Sequence, residues 1–507
     1  MPARVPTSGV VGIEAVSVDV EVDVSRGAYG YETVGLPDAA VRESKQRVKA
    51  ALCNAGFEFP KERIIVNLSP ADLRKEGTAL DLPIALGILL ASKQVRGLNM
   101  ADTVVVGELS LSGEVRPVRG VLSMALMAQQ KGQRRLVIPR DNWGEVQAVP
   151  GLTLVPVTSL LETVAILCGK EPVPAMPSVS FPEECGGDDS DDLRFVRGQQ
   201  TARRALEIAA AGGHNLLLSG PPGGGKTLLA RALATIQAPL SMTERLEVTR
   251  IYSVAGVLPR GGLMSRRPFR APHHTATCPA LVGGGNGVPS PGEVSLAHTG
   301  VLFLDEFPEF PRNVREVLRQ PMESGEVIIA RAHGAVRFPA RFQLVATMNP
   351  CPCGFYGVRE GPKRCGCSAA TVERYRGRVS GPLLDRFDLQ IHCPPVPGQA
   401  LLAKAEGESS QTVRARVVAA RARQLARYEG TAFLSNAAIR GDALEDLCRL
   451  DGPTKALVRS AMERGGLSAR GFHRCVRVAR TIADLAGNAD VTRKQFAEAF
   501  LYRGSAA

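Results

Sequence analysis

No stretch of the 507-residue chain approaches the roughly 20 apolar residues that a membrane helix needs. The most apolar segments, such as Leu82–Ala91 and Val301–Leu304, fall far short. The first twelve residues carry no charged leader followed by a long apolar run, so no secretory signal is expected. A soluble, cytoplasmic protein is the expectation. Internal repeats and long low-complexity tracts are missing, and the 52 glycines and 35 prolines follow no collagen-like period. There is no evenly spaced cysteine framework either: the 11 cysteines are odd in number, and four of them crowd between Cys351 and Cys367. In a reducing compartment such a cluster reads as metal-binding or reactive rather than as a set of disulfides.

What is present is ordinary globular composition, with 44% hydrophobic and 22% charged residues, enough chain for about three domains. The net charge is +12, which on its own suggests only some polyanionic partner. Its distribution is more telling. Residues 1–180 are net 0, residues 181–192 net −6, and residues 193–507 net +18. The division coincides with a Pro/Ser-rich, then acidic, segment at 171–192 (EPVPAMPSVSFPEECGGDDSDD) that reads as an exposed linker. The expected organisation is a domain over 1–170, this linker, a second domain over 193–400, and a helical part over 401–507.

In the first domain, AVSVDVEVDV (Ala15–Val24) alternates strictly, as a half-buried strand does. Glu32–Ala55 reads as a turn leading into a helix, Arg63–Leu68 as a strand and Ala79–Ser92 as an apolar helix. Val104–Gly107 and Arg135–Pro139 read as strands with a helix between them. After the linker, strands at Asn215–Ser219, Gly300–Leu304 and Phe342–Thr347 alternate with helices, the signature of a parallel α/β sheet. Beyond about Leu401 the pattern is helical.

GPPGGGKT (Gly220, Pro221, Pro222, Gly223, Gly224, Gly225, Lys226, Thr227) follows the apolar strand and opens a helix. In that context the motif has a mechanical meaning: backbone N–H groups turn inward around phosphates, Lys226 reaches the β- and γ-phosphates, and Thr227 ligates Mg²⁺. VLFLDE (Val301–Glu306) ends a buried strand in two carboxylates. Asp305 would hold the Mg²⁺ and Glu306 would polarise an attacking water, with Asn349 orienting that water. Arg386 in LLDRFDL is the candidate arginine finger, reaching a neighbouring subunit's nucleotide. Arg470 in LSARGF is a candidate second sensor on the helical lid.

Read in order, GHNLLLSGPPGGGKT, RPFRAPHH (Arg267–His274), GEVSLAHTGVLFLDEF, MNPCPCG (Met348–Gly354), SGPLLDRFDL and LSARGFHRCVRVARTIADL resemble AAA+ ATPases, and more narrowly the magnesium-chelatase-like ComM/YifB family. The resemblance implies a P-loop AAA+ module with a helical lid. It implies ATP with Mg²⁺, a homo-hexameric ring, and a DNA helicase promoting branch migration and DNA integration in natural transformation and recombination, with recombination proteins as partners. It also places Val196 and Gln199 of FVRGQ against the adenine. Residues 1–170 resemble the Lon-protease-like (ribosomal S5 domain 2-like) domain that precedes the ATPase in this family, through KEGTALDLPIAL and GELSLSGEVRPVRGVLSMALMAQQKGQRRLVIP. A Lon-type site needs Ser and Lys where this chain has Ala79 and Leu122. A methyl group cannot attack a carbonyl and a leucine cannot take a proton, so peptidase activity is not expected. A chelatase-type ATPase remodelling a protein partner is the alternative reading, and an ATP-dependent protease a weaker one.

Two further elements invite contact with single-stranded or branched DNA. GEVIIARAHGAVRFP (Gly325–Pro339) reads as a hairpin, with Arg331, His333 and Arg337 as candidates for phosphate contacts. The insertion at Val254–Gly300, with Arg260, Arg266, Arg267, Arg270, His273 and His274, is a candidate second pore element. Finally, Cys351, Cys353, Cys365 and Cys367 form C-x-C, eleven residues, C-x-C. Four thiolates at this spacing read either as a structural Zn²⁺ site or as reduced, redox-labile thiols.

Overall fold

The computed structural model describes residues 2–503 except 76, 99, 101, 178–188, 260–261, 286–288, 332–333, 359–362, 397–406, 442, 449 and 464–467. Half of the acidic linker, Arg260 and His333 therefore lie outside the described residues.

The N-terminal domain is built on strands β1 (Ala3–Val11), β2 (Glu14–Ser25), β3 (Gly30–Val34) and β4 (Arg63–Ser69), in the sheet order β1-β2-β4-β3. The alternation in β2 buries Val18, Val20 and Val22 completely. Helix α1 (Ala39–Asn54) starts at Asp38, whose carboxylate accepts from the Val41 N–H at 2.7 Å, and α2 (Asp81–Ala91) lies buried across the sheet. Two strands of this sheet have no clear sequence signal: β1 lacks regular alternation, and β3 reads as the approach to α1 because its polar face hides its pairing with β4. A second, parallel sheet joins β5 (Thr103–Val105), β6 (Arg135–Pro139) and β7 (Thr153–Val157), with α3 (Val121–Gln130) between the first two.

The second domain holds α4 (Gln200–Gly212), β8 (Leu216–Ser219), α5 (Lys226–Ile236), α6 (Met242–Ala255), β9 (Phe269–Arg270) and β10 (Val301–Leu304). Next come α7 (Arg319–Ser324), the hairpin strands β11 (Glu326–Arg331) and β12 (Gly334–Pro339), then β13 (Gln343–Met348) and β14 (Leu389–His392). Five strands form one parallel sheet in the order β9-β10-β13-β8-β14. All parallel strands run the same way, so every loop after a strand gathers at one edge and every loop before a strand at the other. Of the helices that follow, α8 (Ser410–Arg427), α9 (Ala469–Leu485) and α10 (Arg493–Leu501) share a core with α4 and α5. Among the described residues no helix is long and apolar enough to cross a membrane.

The two parts are joined at α6. The Arg250 guanidinium donates to the Ile13 carbonyl (3.1 Å) and the Ser123 hydroxyl (3.3 Å), and pairs with Glu14 at 2.9 Å. Ser253 Oγ accepts from the Gly120 N–H at 2.9 Å. Leu122 is fully buried in an apolar cluster that also includes Ala79, Leu246 and Leu263. The two positions where a Lon-type dyad would stand thus belong to the same apolar packing as residues of the second domain.

Removing the Arg250 guanidinium leaves the Ser123 hydroxyl without its donor and the Ile13 carbonyl with Ser123 alone, at about 1–3 kcal/mol. Arg250→Ala is expected to lower the first thermal transition by a few degrees in scanning calorimetry, and an unchanged thermogram would show that these bonds do not hold the domains together.

Candidate nucleotide site and cysteine cluster

The loop after β8 forms as its glycines require. A Cβ on Gly220 would lie 2.2 Å from the Cys393 carbonyl oxygen, so only glycine lets the loop pass β14. Gly223 and Gly225 adopt left-handed φ values of 81° and 75°. Gly225 caps α5 without any side-chain hydrogen bond, which leaves the first-turn N–H groups to an anion. Lys226 Nζ donates to the carbonyls of Gly220 (2.6 Å) and Pro221 (2.9 Å) and to Asn349 Oδ1 (3.1 Å). Burial lowers the pKa of this ammonium, against the pull of Asp305 and Glu306.

Asp305 and Glu306 follow β10, and Asn349 follows the adjacent β13. Thr227 Oγ1 donates to Asp305 Oδ2 at 3.2 Å. Thr347 Oγ1 donates to the other oxygen at 2.5 Å and accepts from the Glu306 N–H at 2.9 Å. Thr347 escaped the sequence reading, although its place two residues before Asn349 puts it on the same face of the strand. It holds both acids in register. Glu306 itself has a φ of 51°, in the left-handed region, a backbone cost of about 1–3 kcal/mol of the kind that clusters at functional sites. A hydroxyl and one carboxylate oxygen 3.2 Å apart are a donor set that suits Mg²⁺, which takes few protein ligands and fills its octahedron with phosphate and water. Gln199 Nε2 donates to the carbonyls of Gly224 (3.1 Å) and Pro394 (2.6 Å), and Val196 is buried beside it, so FVRGQ abuts the phosphate loop.

Arg386 lies at the other edge of the sheet. Its carbonyl accepts from Asn215 Nδ2 at 3.0 Å, at the start of β8, whereas the phosphate loop leaves the end of β8. The strand between them spans roughly 15 Å. Arg386 lines a cleft of about 680 Å³ together with Glu323, Arg341 and Arg440. Arg470 is exposed in the first turn of α9. One turn on, Arg474 donates to the Phe387 carbonyl (3.0 Å) and pairs with Asp385 (2.9 Å). The N-terminal end of α9 therefore stands beside the Arg386 loop.

Sγ–Sγ distances in the cysteine cluster are 3.3 Å (Cys351–Cys353), 3.7 Å (Cys351–Cys365) and 3.5 Å (Cys353–Cys365). All four sulfurs, Cys367 included, lie within 4.8 Å of one another. Four thiolates about 2.3 Å from a zinc ion stand about 3.8 Å apart, so the cluster could hold a metal. The Phe355 backbone N–H and the Cys351 thiol hold the Cys353 thiol down at about 6. None of the described cysteines is in a disulfide. A Cβ on Gly354 would sit 2.6 Å from Pro222, so the cluster packs directly on the phosphate loop.

The hairpin is present as expected, with Arg331 paired opposite Gly334. Arg331 is exposed and donates to the Gly285 carbonyl at 3.1 Å, and Arg337 is exposed and pairs with Glu326 at 3.4 Å. The expectation of a second pore element needs correction at two residues. Arg267 is nearly buried and bound to Glu244 and to the carbonyls of Ala238, Pro239 and Thr299. Arg270 is paired with Glu293 at 2.6 Å. Both are structural, because each guanidinium ties loops of its own subunit together. The rings of His273 and His274 lie side by side, centroids 4.0 Å apart and planes tilted by 35°, and neither belongs to a metal-competent group among the described residues.

Comparison with known proteins agrees with this geometry. The family "Magnesium chelatase, subunit ChlI" matches residues 192–401, "Subunit ChlI of Mg-chelatase" residues 20–142, and "Magnesium chelatase, subunit ChlI C-terminal" residues 407–503. The chain is 44% identical to competence protein ComM of Haemophilus influenzae, over 97% of this chain and 96% of that one. It is 42% identical to the YifB protein of Escherichia coli, over 98% and 96%. The N-terminal region is also similar to the Lon protease of Trichlorobacter lovleyi, at 24% identity over 31% of this chain and 20% of that one. With identity of this order along its whole length and a phosphate loop, paired acids and lid in one arrangement, the chain belongs to the magnesium-chelatase-like ComM/YifB family of AAA+ ATPases, whose nucleotide is ATP with Mg²⁺.

Proposed function

We propose that this protein is a cytoplasmic, ATP-driven DNA motor that works as a homo-hexamer and promotes branch migration and DNA integration in natural transformation and homologous recombination. The observation that carries the reading is the split of the catalytic set across the sheet. Lys226, Thr227, Asp305, Glu306 and Asn349 gather at one edge, and Arg386 lies at the other, out of reach of its own nucleotide. A finger so placed serves the nucleotide of the next subunit, and a closed ring gives every site its finger. Arg470, one turn before Arg474 on α9, would serve the same neighbouring site as the second sensor. Val196 and Gln199 would border the adenine. The basic excess of residues 193–507 and the exposed Arg331 and Arg337 on the hairpin favour a phosphodiester partner, and His333 falls between the two arginines in sequence. The competence role in the name of the Haemophilus relative agrees with it.

In this reading Lys226 would leave its loop carbonyls for the β- and γ-phosphates, and Thr227 and Asp305 would hold Mg²⁺, which would supply charge neutralisation. Glu306 takes up the proton side of the attacking water while Asn349 keeps that water in line. Arg386 meets the charge that develops on the transferred phosphoryl group. The N-terminal domain serves as a scaffold without peptidase chemistry, since Ala79 and Leu122 offer neither nucleophile nor base. The four cysteines hold one structural Zn²⁺ against the phosphate loop.

Single-stranded and branched DNA are expected to stimulate ATP hydrolysis, and Lys226→Ala to abolish both hydrolysis and branch migration. Hydrolysis indifferent to either DNA, with no DNA binding at low salt, would overturn the motor reading and favour an ATPase that remodels a protein partner. Replacing Arg331 and Arg337 together by Ala is expected to weaken DNA binding and to flatten its dependence on log salt by about 1–2, one phosphate contact per arginine. DNA affinities equal to wild type at every salt concentration would remove the hairpin from the interface. Elemental analysis of the purified protein should find about one zinc per chain, lost in Cys353→Ser with Cys365→Ser. Less than a tenth of an equivalent in protein prepared without chelators would refute the zinc site.

A further inference from the structure

In this subunit the Arg386 guanidinium is already engaged. Its Nη2 forms an ion pair with the Glu323 carboxylate and its Nη1 donates to the Pro382 carbonyl at 2.5 Å. The Arg386 side chain is 17% exposed and the Glu323 side chain 64% exposed. Glu323 is the second-last residue of α7. Gly325 ends that helix with a left-handed φ of 72°, and β11 of the hairpin begins at the next residue. The junction is tight: Ser324 Oγ accepts from the Glu326 N–H at 3.3 Å, and the Gly325 carbonyl accepts from the Ala340 N–H at 2.8 Å, closing the hairpin's base. From the lid side, the Arg440 guanidinium donates to the Glu323 backbone carbonyl. Glu323 therefore stands where finger, lid and hairpin root meet.

The backbone around Arg386 cannot move freely. Asp385 is paired with Arg474 at 2.9 Å, Asp388 with Arg477 at 3.2 Å, and the Arg386 carbonyl is held by Asn215. What remains able to change partner is the guanidinium arm. A guanidinium fork binds carboxylate and phosphate through the same donors, so the two compete. A half-exposed ion pair is weak enough to lose that competition to a triphosphate carrying several charges.

We propose that Glu323 is a positioning residue that parks Arg386 in a subunit whose neighbour's site is empty, and that gives it up when the neighbour binds ATP. On exchange, Glu323 loses its counter-ion at the root of the hairpin, so occupancy of one subunit's nucleotide site is reported to the β11–β12 hairpin of the next. This rests on the reading of Arg386 as a finger acting between subunits. No covalent step is involved, only exchange of an ion-pair partner.

The test uses the full-length protein and three variants, Glu323→Gln, Arg386→Ala and the double variant. Arg386→Ala is expected to lose hydrolysis by about 10³-fold. If it hydrolyses ATP at the wild-type rate, the finger reading itself fails, and the proposal with it. With the finger confirmed, Glu323→Gln is expected to raise DNA-free hydrolysis by about 2–5-fold, because the arm is no longer parked. It is also expected to bring the ratio of DNA-stimulated to DNA-free rate down toward one. Hydrogen exchange of residues 326–339, which should change in the wild type on adding a non-hydrolysable ATP analogue, should cease to respond. The double variant should match Arg386→Ala. Wild-type DNA stimulation and a wild-type exchange response in Glu323→Gln would overturn the proposal while leaving the finger in place. So would a Glu323→Gln rate reduced to the Arg386→Ala level, the mark of a simple structural prop.

Discussion

A buried carboxylate, Asp388, is the point on which the architecture of the ATPase part depends. Its side chain is only 7% exposed. It accepts from the Asn215 N–H (3.3 Å), from His214 Nδ1 (3.4 Å) and from the Arg477 guanidinium (3.2 Å). Burial works against its charge, but Arg477 and His214 outweigh it and hold the carboxyl below its usual range. A buried charge is tolerated only when it is paired in this way. Through that one group the start of β8, the Arg386 loop and lid helix α9 become a single body. His214 extends it further, since its Nε2 meets Thr481 of α9 at 2.7 Å.

The consequence is mechanical. β8 carries the phosphate loop at its far end, so the phosphate loop and the Arg386 loop are attached to the same strand. Any rotation of the lid against the sheet must carry Asp385 and Asp388 with it, and the backbone of Arg386 between them. Parts that can shift independently are side chains at the edges: Lys226, now resting on loop carbonyls, and the Arg386 arm, now resting on Glu323. Both are cations held by oxygen acceptors that resemble weak versions of a phosphate. The protein thus pairs both cations with its own oxygens, and an arriving phosphate would replace those contacts.

The N-terminal domain shows a different use of an inherited fold. Where a Lon-type dyad would need polar groups facing solvent, Leu122 is fully buried in a cluster with Ala79, Leu246 and Leu263. Apolar side chains at these positions supply packing to the ATPase part. The hydroxyl of Ser123, next to Leu122, donates to the Ile13 carbonyl at 2.6 Å and accepts from Arg250.

The sequence alone determined what depends on local order. The phosphate loop, the paired acids after an apolar strand, the C-x-C pairs and the absence of a dyad are short-range patterns, and each was legible because its chemistry needs particular residues at particular spacing. The parallel sheet was legible from alternating strand and helix, whereas β1 and β3 were not, because neither alternates strongly enough to betray a partner distant in the chain. Only the tertiary structure decided which cations face outward. Arg267 and Arg270 read as a basic surface but are spent on Glu244 and Glu293, and Arg386, read as a candidate finger, has Glu323 for its partner. Ion pairs between residues 23 or 63 positions apart leave no periodic trace in a sequence, since a charge's partner is chosen by the fold that brings it near.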